Sequence, residues 1–188
     1  MSANDPKEAP SAWIVRFAPL VPAAGAVLDL ACGGGRHTRL FADRGYRVVA
    51  VDRDLGRLGD LARGPRVEAI AADLESGAPL PFTGRRFAGV VVTNYLYRPL
   101  LGALVEAVEP GGVLLYETFA TGNERFGRPS NPEFLLRPGE LLDAVRGRLR
   151  VIAYEDLDVE EPRPAAVQRI AARRETGEQT AAHIASRP

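Results

Sequence analysis

Two aspartates and a run of glycines hold the residues of this chain best suited to chemistry. Asp29 lies in a short apolar run, Ala26-Val27-Leu28-Asp29-Leu30, and Gly33, Gly34 and Gly35 follow just beyond it. A helical pattern with Leu40 and Phe41 among charged residues comes next and stops at Gly45. A second apolar run, Arg47 to Val51, ends on Asp52. Short, bounded apolar runs of this kind are expected of strands buried on both faces. The unit is therefore strand, glycine loop, helix, strand. It turns backbone N–H groups at a helix N-terminus toward a ligand and sets a carboxylate at the tip of the neighbouring strand. Such a unit is suited to a nucleotide-like ligand, with Asp52 accepting hydrogen bonds from ribose hydroxyls.

The details narrow the ligand. A dinucleotide fingerprint wants G-x-G-x-x-G, whose third glycine allows close helix–strand packing. Here that third position is Thr38, which disfavours a nicotinamide dinucleotide. Asp29 on the first strand would repel a pyrophosphate and attract an ammonium group. A ligand with a cationic end and a ribose end fits the pair Asp29 and Asp52, and S-adenosylmethionine is one.

The string Asp29-Leu30-Ala31-Cys32-Gly33-Gly34-Gly35 resembles the first motif of the class I S-adenosylmethionine-dependent methyltransferases, acid-x-Gly-x-Gly-x-Gly, with Ala31 in place of the first glycine. Val48-Val49-Ala50-Val51-Asp52 resembles the second motif, and Ala71-Ala72-Asp73-Leu74 the third. Three motifs in order carry more weight than any one. The resemblance runs from about Ala26 to Phe119 and more loosely to about Arg174, and the segment Ala120 to Pro138 is similar to one in small bacterial methyltransferases distantly like the tellurite-resistance type. It implies S-adenosyl-L-methionine as cofactor. It also implies that Asp29, Ala31, Gly33, Gly35, Asp52, Arg53, Asp73, Leu74 and Asn94 hold it, with Asp73 near the adenine amino group.

The rest of the chain must position this unit. Ser11 to Ala18 reads as a short amphipathic helix capped by Ser11 and ended by Pro19. Asp54 to Arg63 reads as a second helix, closed by Gly64-Pro65. Strands are expected at Val67 to Ala72, Gly89 to Thr93, Val113 to Tyr116, Arg150 to Tyr154 and Ala165 to Arg173. Helices are expected over Pro99 to Val108 and Gly139 to Val145. The acidic run Glu155 to Glu161 reads as a solvated connection, and residues 1–9 and 175–188 as disordered ends. The fold class is α/β, a doubly wound Rossmann-like sheet of seven strands, mostly parallel with an antiparallel last strand.

Ligands in open α/β sheets bind beyond the carboxyl ends of the strands. Asn94-Tyr95-Leu96-Tyr97-Arg98 falls there, where a methyl group would be presented. It lacks the prolines of the Asn-Pro-Pro-Tyr motif of nucleic-acid amino-methylating enzymes. Ala120 to Pro138, rich in Gly, Pro and Asn, is expected to wall an acceptor site. If the acceptor must lose a proton, Glu117, Tyr95 and His37 are the candidate bases. Tyr95, Tyr97, Arg98, Arg125 and Arg128 are the candidate acceptor contacts, and because guanidinium groups grip carboxylate and phosphate bidentately, the three arginines point to a small anionic acceptor.

Composition sets the outer limits. A chain of 188 residues fits one domain. Its 24 basic and 24 acidic residues balance, which counts against nucleic acid as the partner and favours a small molecule. The single cysteine, Cys32, excludes an intramolecular disulfide framework and a multi-cysteine metal site, and no metal is expected. No secretory pattern opens the chain and no run approaches the roughly 20 apolar residues of a membrane span, so a cytoplasmic protein is expected. An RNA methyltransferase and a non-catalytic cofactor-binding protein are the alternative readings.

Overall fold

The computed structural model describes residues 9–177. Its centre is a seven-stranded sheet of β1 (Ala26–Leu30), β2 (Arg47–Asp52), β3 (Val67–Ala71), β4 (Phe87–Thr93), β5 (Val108–Phe119), β6 (Arg150–Val159) and β7 (Ala165–Arg173), in the order β3-β2-β1-β4-β5-β7-β6. The first five strands run parallel to one another, and β7 runs antiparallel between β5 and β6. The sheet is thus the expected α/β, doubly wound and mostly parallel, with its last strand reversed. Strand order changes direction between β1 and β4, the switch point at which such sheets bind ligands.

Period-2 alternation sorts the central side chains into two cores. Leu28, Leu30, Val90 and Val92 face one side, and Val27, Val91, Val113 and Leu115 the other. On the second side α1 (Ala12–Phe17) docks through Trp13, Ile14 and Phe17, all buried. Each such side chain contributes about 1.5–3 kcal/mol by burial, which a six-residue helix needs because it is too short to persist alone. Ser11 caps it as expected, its hydroxyl accepting from the N–H groups of Trp13 and Ile14. The α-helix ends at Phe17, ahead of Pro19 as expected, and the chain continues as a 3-10 turn, Ala18–Leu20. Among the described residues, further α-helices are α2 (Arg36–Asp43), α3 (Leu101–Glu106) and α4 (Glu140–Val145).

Three expectations need correction. Leu55–Arg63 is not one α-helix but 3-10 turns broken at Gly59, whose φ of 56° and ψ of −135° no helix tolerates. β5 begins at Val108, so Pro110-Gly111-Gly112 lies inside an irregular strand rather than before one. β6 extends to Val159, and the acidic run is therefore largely strand: Glu155 meets Arg169 at 2.6 Å, Asp156 accepts from Gln168, and Asp158 meets Arg125 at 3.0 Å. The expected disordered ends lie mostly outside the described residues. Within them, Ala9 accepts from Arg36 through its carbonyl and Glu175 pairs with Arg150 at 3.2 Å.

Candidate functional site

The glycine loop lies between β1 and α2 and is tied to the carboxylate of Asp52. Asp52, at the tip of β2, accepts from the Gly33 N–H through Oδ2 at 2.8 Å and from the Asp54 N–H through Oδ1 at 3.0 Å. Each oxygen keeps a lone pair for a further donor. Ala31 and Gly33 lie at φ 52° and 55° and Gly35 at 74°, so the loop turns through the left-handed region three times. At Gly35 space as well as φ requires glycine, since a Cβ would stand 2.5 Å from Leu58 Cδ2 and 2.7 Å from Leu61 Cδ2.

Asp29 differs from its expected role. It is 1% exposed and its carboxylate takes the Thr38 hydroxyl at 2.6 Å, so it fastens α2 to β1 beneath the loop instead of offering an open anion. Burial pushes its pKa up to about 6. Thr38, where a dinucleotide site would have glycine, is the partner that keeps this acid satisfied. Asp73 is exposed beyond β3 and accepts from the Glu75 N–H at 2.9 Å, with Leu74 buried beside it and Arg53 exposed. The sequence did not single out Arg57, yet its guanidinium covers Gly33: a Cβ built on that glycine would lie 3.7 Å from Arg57 Nη1.

Asn94, just past β4, lies in the left-handed region at φ 53° and borders two cavities, both also lined by Phe119. One, of about 250 Å³, takes in Glu75, Tyr95, Leu96, Thr118, Pro129 and Phe134. The other, of about 300 Å³, lies between residues 9–12, Arg36, Glu117 and the β6–β7 turn. The segment 120–138 thus does wall a cavity, through Pro129 and Phe134. Its hold on the sheet comes from Leu136, fully buried, whose N–H and carbonyl bond Phe119 and Thr121.

Among the candidate bases, His37 is a tether. Its Nε2 accepts from the Ser11 N–H at 3.0 Å, which leaves the proton on Nδ1, 3.4 Å from Thr93 Oγ1. Burial, with Arg36 nearby, pushes its pKa down to about 3. The Tyr95 hydroxyl donates to Glu75 Oε1 at 3.3 Å, and burial pushes its pKa above the ordinary phenol range, which suits a contact rather than a base. Glu117 lines the larger cavity and pairs with Arg169 at 3.2 Å, and Arg169 also lies over Trp13.

The three arginines read from the loops do not converge. Arg98 pairs with Glu140 at 2.7 Å and donates to the carbonyls of Glu133 and Leu135, so it braces the 131–137 segment. Arg125 pairs with Asp158 and bonds the Gly122 carbonyl. Arg128 is exposed, and Tyr97 packs half-buried against the core near α3. The arginines that do meet at a cavity are Arg36, Arg163 and Arg169. Their convergence depends on the β6–β7 turn, which no local pattern announces.

Comparison with known proteins agrees with the fold. Residues 27–112 match the family described as a methyltransferase domain. Over 131 residues the chain is 33% identical to a demethylmenaquinone methyltransferase of Renibacterium salmoninarum, covering 63% of this chain and 53% of that protein. It therefore spans about half the length of that relative. TehB from Haemophilus influenzae superposes with a TM-score of 0.70 at 17% identity, over 87% of this chain and 61% of that one. The glycopeptide N-methyltransferase MtfA, solved with S-adenosyl-L-homocysteine, superposes with a TM-score of 0.58 at 23% identity, over 85% and 87% of the two chains. Among the described residues no helix is long and apolar enough to cross a membrane.

Proposed function

We propose that this chain, whose residues 27–112 match a methyltransferase domain, transfers a methyl group from S-adenosylmethionine to a small-molecule acceptor. The observation that carries the reading is the glycine loop bonded to Asp52 at the switch point of the sheet, with no room for a side chain at Gly35. Asp52 would take the ribose hydroxyls on its remaining lone pairs, and Asp73 with Leu74 would border the adenine. Arg57, over Gly33, is placed to meet the cofactor's carboxylate. The cofactor supplies an activated methyl carbon on a sulfonium.

What remains for this chain is to hold the acceptor in line with that carbon, and alignment of this kind can supply roughly 7–11 kcal/mol. Asn94, shared by both cavities, marks where the two ligands would meet. A cavity of about 300 Å³ lies at the lower end of small-molecule pockets, which favours a metabolite over a polynucleotide. Balanced charge, 24 basic against 24 acidic residues, supports the same choice. Glu117 stands ready to accept a proton if the nucleophile carries one.

Incubation with methyl-labelled S-adenosylmethionine and a fractionated metabolite extract tests the proposal. Label should appear in a small molecule, with one equivalent of S-adenosylhomocysteine formed. Label found only in RNA would favour the nucleic-acid reading, and tight cofactor binding without transfer to any fraction would favour a non-catalytic protein.

A further inference from the structure

The larger cavity has a charge pattern that the expected cofactor does not explain. Three arginines, Arg36, Arg163 and Arg169, line it together with two glutamates, Glu117 and Glu161. Arg169 is already committed, 3.2 Å from Glu117 and 2.6 Å from Glu155. Among the described residues neither Arg36 nor Arg163 has a carboxylate within ion-pair distance. Arg36 donates only to the Ala9 carbonyl, at 3.2 Å, and Arg163 lies over the Phe119 ring at 5.5 Å. Arg36 is half-buried, and desolvation lowers its pKa despite Glu117 and Asp29 nearby. A partly desolvated guanidinium with no carboxylate in contact leaves donors for an arriving anion, and Arg163 is exposed at the mouth of the same cavity.

The same cavity also has an apolar lining. Phe119, Val159, Ala165 and Val167 pack together there. We propose that the cavity receives a small organic acid, its carboxylate gripped between Arg36 and Arg163 and its apolar body lying on Phe119, Val159 and Val167. The assignment rests on the methyl-transfer reading, because it takes the cavity beside Asn94 as the acceptor's. It moves the anion contact away from Arg98 and Arg125, whose guanidinium groups brace the fold.

Calorimetric titration of the full chain loaded with S-adenosylhomocysteine tests this. Benzoate and hexanoate are compared with benzamide and hexanamide, which keep the shape and lose the charge, and with inorganic phosphate. Each acid should bind at least about tenfold more tightly than its amide, a difference of about 1.4 kcal/mol. That preference should collapse in Arg163→Gln and in Arg36→Gln while S-adenosylhomocysteine affinity changes less than about twofold. Equal binding of acid and amide, no binding of either acid at millimolar concentration, or phosphate binding as tightly as the acids would each overturn the assignment and leave the methyl-transfer reading intact. Loss of S-adenosylhomocysteine binding in Arg36→Gln would give that residue to the cofactor and overturn it too. Failure of the unaltered protein to bind S-adenosylhomocysteine would overturn both.

Discussion

Replacing Gly35 by alanine should damage the cofactor loop far more than the same change at Gly33, and the difference can be worked from the structure. Both residues have positive φ, 74° and 55°, so both variants force an L-residue into the left-handed region at about 1–2 kcal/mol. At Gly33 nothing else is added, because the nearest atom, Arg57 Nη1 at 3.7 Å, is the end of a flexible exposed side chain. At Gly35 the new methyl would lie 2.5 and 2.7 Å from the Cδ2 atoms of Leu58 and Leu61. Leu58 is 3% exposed and packed with Cys32 and Ala50, so it cannot simply swing away. Overpacking of this kind costs typically about 1–3 kcal/mol. Gly35→Ala should therefore unfold about 1–3 kcal/mol more easily than Gly33→Ala in urea titrations followed by tryptophan fluorescence. It should also lose S-adenosylhomocysteine affinity, since the loop must shift to make room. Equal stability of the two variants would refute the claim that the Leu58 and Leu61 contact dictates glycine at this position.

Further outcomes follow from the same geometry. Asp29 and His37 have opposing pH dependences: an acid raised from 3.8 to about 6 takes up protons on folding between those values, stabilising the fold as pH falls, while a histidine lowered from 6.5 to about 3 excludes them and destabilises it. In Asp29→Asn only the histidine effect remains, so relative to the unaltered protein its stability should drop by up to about 1.4 kcal/mol per pH unit between pH 6 and 4, read by urea titration at each pH; parallel profiles would contradict the burial of Asp29. Arg98→Ala should cost about 2–4 kcal/mol through loss of a half-buried pair and two carbonyl contacts, whereas Arg125→Ala, at an exposed pair, should cost under about 1 kcal/mol; similar thermal shifts for the two would sink that distinction. Ala31→Gly should leave stability unchanged or raise it by up to about 1 kcal/mol, because relief at φ 52° offsets the added chain entropy, and a clear loss would show that the alanine methyl packs usefully.

How far the sequence reaches is visible residue by residue. β1 and β2 were legible to their ends because strands covered on both faces are continuous apolar runs with abrupt borders. The Ser11 cap and the Gly45 stop were legible because they are local chemistry. Leu55–Arg63 was not: the apolar spacing suits a helix, but Gly56 and Gly59 give the backbone freedom to follow the packing of Leu58 instead. The acidic run was misjudged because its partners, Arg125, Gln168 and Arg169, lie far along the chain. Arg98 and Arg125 misled for the same reason, since Glu140 and Asp158 stand 42 and 33 residues away. Asp52 could be placed at the site from its strand alone, whereas the presence of Arg36 and Arg163 on one cavity depends on where the β6–β7 turn folds.

The most direct test of the central claim is calorimetric titration of S-adenosylmethionine, S-adenosylhomocysteine and NAD into the unaltered chain and its Asp52→Ala variant. Micromolar binding of the first two, at least about tenfold weaker in the variant, is the predicted result. Binding of NAD with no binding of either adenosyl ligand would contradict the assignment of the glycine loop and Asp52 to a methyl-donor site.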